Sequence, residues 1–228
     1  MTKTMPSRAA RVKQVEAVLS TVLENGRVVA ADGSSHEIVP ISIPRMEGDA
    51  LRRWVEREDA VHTIEVGLAY GVSALFICAG LLANGSAEAR HVALDPNQHS
   101  GFADAALELL RKANVSELVE FYTAPSEIAL PRFLAEHRSF DLAFVDGNHR
   151  FEHVFLDVVY LGRLVRGGGV LFLDDWQYPA TKKVAAFCIR NLGWGIEEEG
   201  VADEVHHWVV LRTPRTPVER RFDYFVDF

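Results

Sequence analysis

From His62 onward, short apolar runs alternate with longer stretches of helical periodicity, and this alternation leaves few folds open to the chain. The runs "HTIEVG", "HVALD", "LVEFYT", "FDLAFVDG" and "GGVLFLDD" are nearly continuous in apolar residues until they end, as strands covered on both faces are. Between them, "VSALFICAGLLA", "GFADAALELLRKAN", "SEIALPRFLAEH" and "RFEHVFLDVVYLGRLVRGG" carry helical spacing. Strand and helix in turn predict an α/β fold, a doubly wound Rossmann-like sheet that is mostly parallel, with right-handed crossovers. Near the end, "HHWVVLRTP" and "RFDYFVDF" read as two strands with no helix between them, which predicts an antiparallel C-terminal strand pair. The acidic run "EEEG", residues 197–200, reads as a solvated turn before that pair.

Ahead of the alternation, Val12, Val15, Val18, Leu19, Val22 and Leu23 predict an amphipathic helix stopped by Asn25-Gly26. An arm with a turn at Asp32-Gly33 follows, then a second helix, "EGDALRRWVERED". Pro40 and Pro44 place the arm on a surface. The expected division is residues 1–60 as helix and arm, serving as a cap or a homodimer contact, and 61–228 as the Rossmann-like domain.

Charge and composition narrow the function. The 24 Lys and Arg against 32 Asp and Glu give a net charge of −8, which opposes binding to a phosphate backbone, so no nucleic-acid partner is expected. The apolar stretch Ala74–Ala83 is shorter than the roughly 20 residues of a membrane span, and "MTKTMPSRAARVKQ" has no apolar signal core. No membrane association and a cytoplasmic location are the expectations. The two cysteines, Cys78 and Cys188, both fall in apolar helical contexts and are expected to be free thiols.

In a doubly wound sheet, ligands bind at the carboxyl ends of the strands, so polar residues at those ends carry the functional reading. "EVGLAYGVS" joins the first strand to its helix with the spacing Glu-x-Gly-x-Ala-x-Gly. Gly67, Ala69 and Gly71 would let a ligand approach the backbone, and Ser73 opens a helix whose free N–H groups favour an anion. A plain tight turn is the other reading of these small residues. Asp95 ends the second strand, where a carboxylate can accept the hydroxyls of a ribose or, with Pro96, simply form a turn. Ser126 follows the third strand as an adenine contact or a helix cap.

With these residues the chain resembles the class I S-adenosylmethionine-dependent methyltransferases, of the small-molecule O-methyltransferase type. The resemblance rests on "EVGLAYGVSAL", "ALDPN", "FDLAFVDGNH" and "LVRGGGVLFLDD" in that order and covers about residues 63–210. It implies S-adenosylmethionine as cofactor, with Glu65, Gly67 and Gly71 bordering its methionine part, Asp95 holding its ribose and Ser126 near its adenine. Ala69, Tyr70, Ser73 and Asp146 complete the expected cofactor-binding set, and Tyr70 reads equally as a wall of the acceptor pocket. The implied partner is a small hydroxylated methyl acceptor. A nicotinamide-dependent oxidoreductase and a non-catalytic scaffold of the same fold are the competing readings.

Asp146, Asp174 and Asp175 close two neighbouring strands, and three carboxylates there repel one another unless a cation or proton lies among them. Oxygen ligands of this kind suit Mg²⁺ or a similar divalent ion, and metal-dependent O-methyltransferases place three acids in this manner. The alternative reading makes them caps of the segments that follow. Related sugar O-methyltransferases often carry Asp-Gly-Asp where this chain has Asp146-Gly147-Asn148, so His149, beside Asp146 in the expected catalytic pair, is the candidate base, with a helix cap or a support for the metal's ligands as its other readings. His149 and His153 have a spacing found in zinc helices, without the companion glutamate of a zinc hydrolase. In the helix after Arg150, Phe151, Val154, Phe155 and Val158 form the expected buried face, with His153 and Asp157 outward. "WQYP", 176–179, offers two aromatic rings as an acceptor wall or as loop packing.

Overall fold

In the computed structural model, which describes residues 7–216 and 218–228, seven strands form one sheet with helices on both faces. The chain enters through α1 (Arg8–Asn25), the short antiparallel pair β1 (Arg27–Val29) and β2 (Ser35–Glu37), and α2 (Arg45–Arg57). The alternating body follows as β3 (His62–Val66), α3 (Val72–Asn84), β4 (Arg90–Leu94), α4 (Gln98–Gly101), α5 (Ala105–Lys112), β5 (Val119–Tyr122), α6 (Ser126–Ala135), β6 (Phe140–Val145), α7 (Phe151–Leu164) and β7 (Val165–Leu173). Helix α8 (Pro179–Leu192) and the strands β8 (Gly195–Val201) and β9 (His207–Arg212) complete it.

The strand order is β5-β4-β3-β6-β7-β9-β8, parallel from β5 to β7 and antiparallel beyond. The order reverses between β3 and β6, which pair from Thr63 with Leu142 to Val66 with Val145, so the crevice between their ends is the switch point. One buried cluster unites Val15, Leu19, Trp54, Leu75 and Phe76 on one face of the sheet. Another unites Leu130, Phe133, Val158, Leu161 and Val184 on the other. The N-terminal helices thus share the core of the sheet. Helix α2 lies close on α3 because a Cβ at Gly48 would overlap the Phe76 ring and one at Gly80 would come within 2.8 Å of Val55. Both cysteines are free and buried.

Three expectations are corrected. The antiparallel terminal pair exists, but its members are β8 and β9, so "EEEG" lies in a strand and residues 221–228 do not. Two glutamates of β8 have cationic partners, Glu197 at 2.9 Å from Arg212 and Glu198 at 2.9 Å from Arg53, and their charges suit an edge strand. With β9 flanked by β7 and β8, the final segment runs beside α8 instead, where Asn191 donates to the Val226 carbonyl and accepts from its N–H, both at 2.8 Å. The helix expected over 101–114 is broken into α4 and α5, because Ala103 and Asp104 adopt left-handed φ of 50° and 57°. On α7, Val154 and Val158 are buried as expected, but Asp157 is buried at 2% exposure and Phe151 is exposed at 41%, the reverse of the places expected for these two.

Gly67 has φ of 93°, and a Cβ there would overlap the carbonyl oxygen of Asp146. Gly71 has φ of 81° and lies 3.0 Å, measured from an added Cβ, from Ala106. These glycines are therefore required by contacts within the protein itself, whatever ligand lies above them. Gly67→Ala is expected to lower unfolding free energy by about 2–4 kcal/mol, from overlap plus backbone strain. Urea denaturation checks this, and a loss under about 0.5 kcal/mol would contradict it.

Candidate active site

A cavity of about 760 Å³ opens at the carboxyl edge of the sheet, over the switch point. Its lining comes from the loops after β3, β4, β5, β6 and β7, from Pro40 and Ile41 of the arm, and from Val205 and His206 between β8 and β9. Of the residues expected to bind a cofactor, Gly67, Ala69, Asp95, Ser126 and Asp146 line this cavity. Glu65, Tyr70, Gly71 and Ser73 do not.

The displaced four are occupied with the fold. Glu65 is fully buried; its Oε2 accepts from Ser73 Oγ at 2.7 Å and its Oε1 lies 2.9 Å from His91 Nε2. The other ring nitrogen of His91 is 2.9 Å from Thr63 Oγ1, so a chain of four buried polar groups ties β3, β4 and α3 below the turn. Tyr70 packs edge-on to Phe102 at 5.2 Å and stands 5.9 Å from His36 of β2. Asp95 has a double attachment: Oδ2 accepts from the N–H groups of Leu68 and Ala69 at 3.2 and 2.8 Å, and Oδ1 from Asn97 at 2.8 Å. It holds the turn while facing the cavity. Ala69, with φ of 43°, is further fixed by Gln98, whose amide donates to its carbonyl at 2.8 Å.

On the opposite wall, ligand atoms of Asp146, His149 and Asp175 all lie within 4.8 Å of one another. Register explains the meeting: β6 and β7 run parallel with Val145 opposite Leu173, so the residues that leave their ends face each other. His149 Nδ1 contacts Asp175 Oδ2, and this bond, together with the charges of Asp175 and Asp174, raises the imidazole pKa. Burial, then the charges of Asp174 and Asp175, push Asp146 well above the usual carboxylate range. Asp174, expected in the same group of ligands, turns elsewhere: its Oδ1 accepts the Asp175 N–H at 2.6 Å. Burial, then the charge of Asp175, raise its carboxyl to about 6.

Two groups here were not anticipated. Glu47 on α2 is wholly buried, and burial, then the charge of Asp174 and a hydrogen bond that the protonated Glu47 donates to it, push it up to about 10. Only an acid placed among helix-forming charges, "RMEGDALRR", marks it in the sequence, which is no signal of burial. His206, 8% exposed, lines the cavity with Nδ1 at 2.9 Å from Asp203. Asn148 Oδ1 accepts from the Arg150 N–H at 3.1 Å and so shapes the turn into α7. Of "WQYP", Tyr178 lines the cavity, 5.7 Å from the His149 ring, whereas Trp176 donates to Glu199 at 2.8 Å away from the lining.

The cavity, with a glycine turn and clustered acids at its rim, lies at the switch point where doubly wound sheets bind ligands. Residues 64–176 match the family described as "Methyltransferase domain". The chain is similar to tricin synthase 2 of Oryza sativa subsp. japonica, 33% identical over 148 residues that cover 62% of this chain and 47% of that protein. It is also similar to an Arabidopsis thaliana protein described as a caffeoyl-CoA O-methyltransferase, 28% identical over 59% of this chain and 55% of the relative. The chain spans about half the length of these curated relatives. Its fold matches the crystal structure of the O-methyltransferase TomG from Streptomyces achromogenes in complex with SAM, with a TM-score of 0.68 at 17% identity over 89% of this chain and 90% of that one. Among the described residues no helix is long and apolar enough to cross a membrane.

Because Glu47 keeps its proton in the fold up to about pH 10 but loses it in the unfolded chain near the ordinary carboxylate value, stability falls as pH rises between those limits. Glu47→Gln is therefore expected to stabilise the protein by about 1–3 kcal/mol at pH 8 and by much less at pH 5. Denaturant unfolding with chelator present checks this, and an equal effect at both pH values would contradict it.

Proposed function

We propose that the protein is an O-methyltransferase that moves the methyl group of S-adenosylmethionine to a hydroxyl of a small molecule, assisted by a divalent cation. The observation that carries the reading is the facing of Gly67, Ala69 and Asp95 with Asp146, His149 and Asp175 across one cavity. When bound, the cofactor supplies a methyl group on a cationic sulfur, and a divalent ion supplies Lewis acidity that favours the ionised hydroxyl. The donor set fits such an ion: two carboxylates and an imidazole lie within reach of one another, and burial, then the charges of Asp174 and Asp175, hold the Asp146 carboxyl above the usual carboxylate range.

Each residue then has a task. Ala69 and Gly67 present backbone to the cofactor, Asp95 keeps that turn in place and faces its ribose, and Ser126 stands at its base. Asp146 belongs to both walls, since its carbonyl touches the glycine turn and its carboxylate joins the acid cluster. It would hold the ion on the side of the cavity next to the glycine turn. His149 was expected as a free base, but its bond to Asp175 favours a role as ion ligand and as partner to that acid. With the acceptor hydroxyl ionised and its proton passed to solvent, the oxygen would displace the sulfur at the methyl carbon and leave S-adenosylhomocysteine, and alignment of the three atoms would supply much of the acceleration. Pro40 and Ile41 on the cavity support the reading of the arm as a cap over the acceptor.

Calorimetry is expected to detect S-adenosylhomocysteine binding, and its absence would sink the proposal. Asp175→Ala is expected to reduce methylation of hydroxylated acceptors by about 100-fold while changing S-adenosylhomocysteine affinity by less than about 3-fold. Turnover that survives both this change and a chelator would remove the cation from the account.

A further inference from the structure

Asp157 is a carboxylate the proposed chemistry does not use. It lies on α7, is 2% exposed, and lines the cavity beside Ser126, yet its Oδ1 has no hydrogen-bond partner. An acceptor withdrawn from water and left unpaired is destabilising, so its place on a cavity wall points to a donor that arrives with the ligand. Burial raises its carboxyl only to about 6, which leaves it ionised, and acceptor only, at neutral pH and above.

The lining of the cavity describes the ligand that would bring this donor. Leu94, Pro96 and Pro125 are apolar and suit a flat ring, and Asp157 lies outside the cluster of Asp146, His149 and Asp175. We propose that Asp157 is a specificity-determining residue that accepts a hydrogen bond from the 6-amino group of the cofactor's purine. The assignment rests on the methyltransferase reading and adds to it the group that distinguishes a 6-aminopurine from other bases. Glu127 also lines the cavity but is exposed, so water satisfies it and it has no comparable demand for a ligand donor.

The test compares calorimetric affinities for S-adenosylhomocysteine and for its analogue lacking the 6-amino group. The wild-type protein is expected to bind the analogue at least 10-fold more weakly. Asp157→Ala is expected to bring the two affinities within about 2-fold, and the isosteric Asp157→Asn to give an intermediate ratio, while Glu127→Gln keeps the wild-type ratio. A merely structural Asp157 would weaken both ligands alike and leave their ratio unchanged. Equal affinities in the wild type, a ratio unmoved by Asp157→Asn, or one that follows Glu127 would each overturn the proposal. Failure of the wild type to bind S-adenosylhomocysteine at all would instead bring down the methyltransferase reading on which it stands.

Discussion

Like charge gathered at one edge of a parallel sheet is the constraint on which the site depends. Parallel strands end side by side, so acids placed at the ends of β6 and β7 meet whether or not the fold gains from it. Asp146, Asp174 and Asp175 meet there, with Glu47 buried behind them, and the raised titration of Asp146, Asp174 and Glu47 records the cost. His149 and His206 offset only part of it. A fold that keeps these buried acids together by leaving protons on some of them is prepared for positive charge from outside, and the proposed reaction brings two kinds, a divalent ion and a sulfonium.

The opposite wall is built by backbone. Gly67 approaches the Asp146 carbonyl so closely that no side chain fits, and this contact joins the glycine turn to the acid cluster at the point where strand order reverses. The turn is gripped from beneath by Asp95 and Gln98 and anchored through Glu65, Ser73, His91 and Thr63. A left-handed Ala69 held this way is ordered before any ligand arrives, and preorganisation of that sort is what a transfer reaction dependent on alignment requires.

Much of the fold was legible in the sequence, because nearly continuous apolar strands and helical periodicity are local patterns. All five parallel strands and the strand-end positions of Gly67, Asp95, Asp146 and Asp175 follow from them. What local pattern does not encode is which side a polar group turns to. Asp157 fits the outward stripe of an amphipathic helix, yet that stripe faces the cavity. Asp174 and Asp175 are adjacent, and adjacency cannot tell which joins His149. Glu47 reads as a surface acid because its burial depends on α2 closing on α3 through Gly48 and Gly80. The aromatic run at 221–228 looked strand-like, but the flanks of β9 were already taken.

The central claim is that one cavity holds a divalent ion on Asp146 and Asp175 next to the sulfur of the bound nucleoside. Anomalous diffraction from crystals soaked with Mn²⁺ and S-adenosylhomocysteine tests it directly. The account predicts one strong manganese peak between Asp146 and Asp175, with the nucleoside sulfur beside it over Gly67. A nucleoside seated on another surface, or manganese absent from that cluster while the nucleoside is bound, would contradict it.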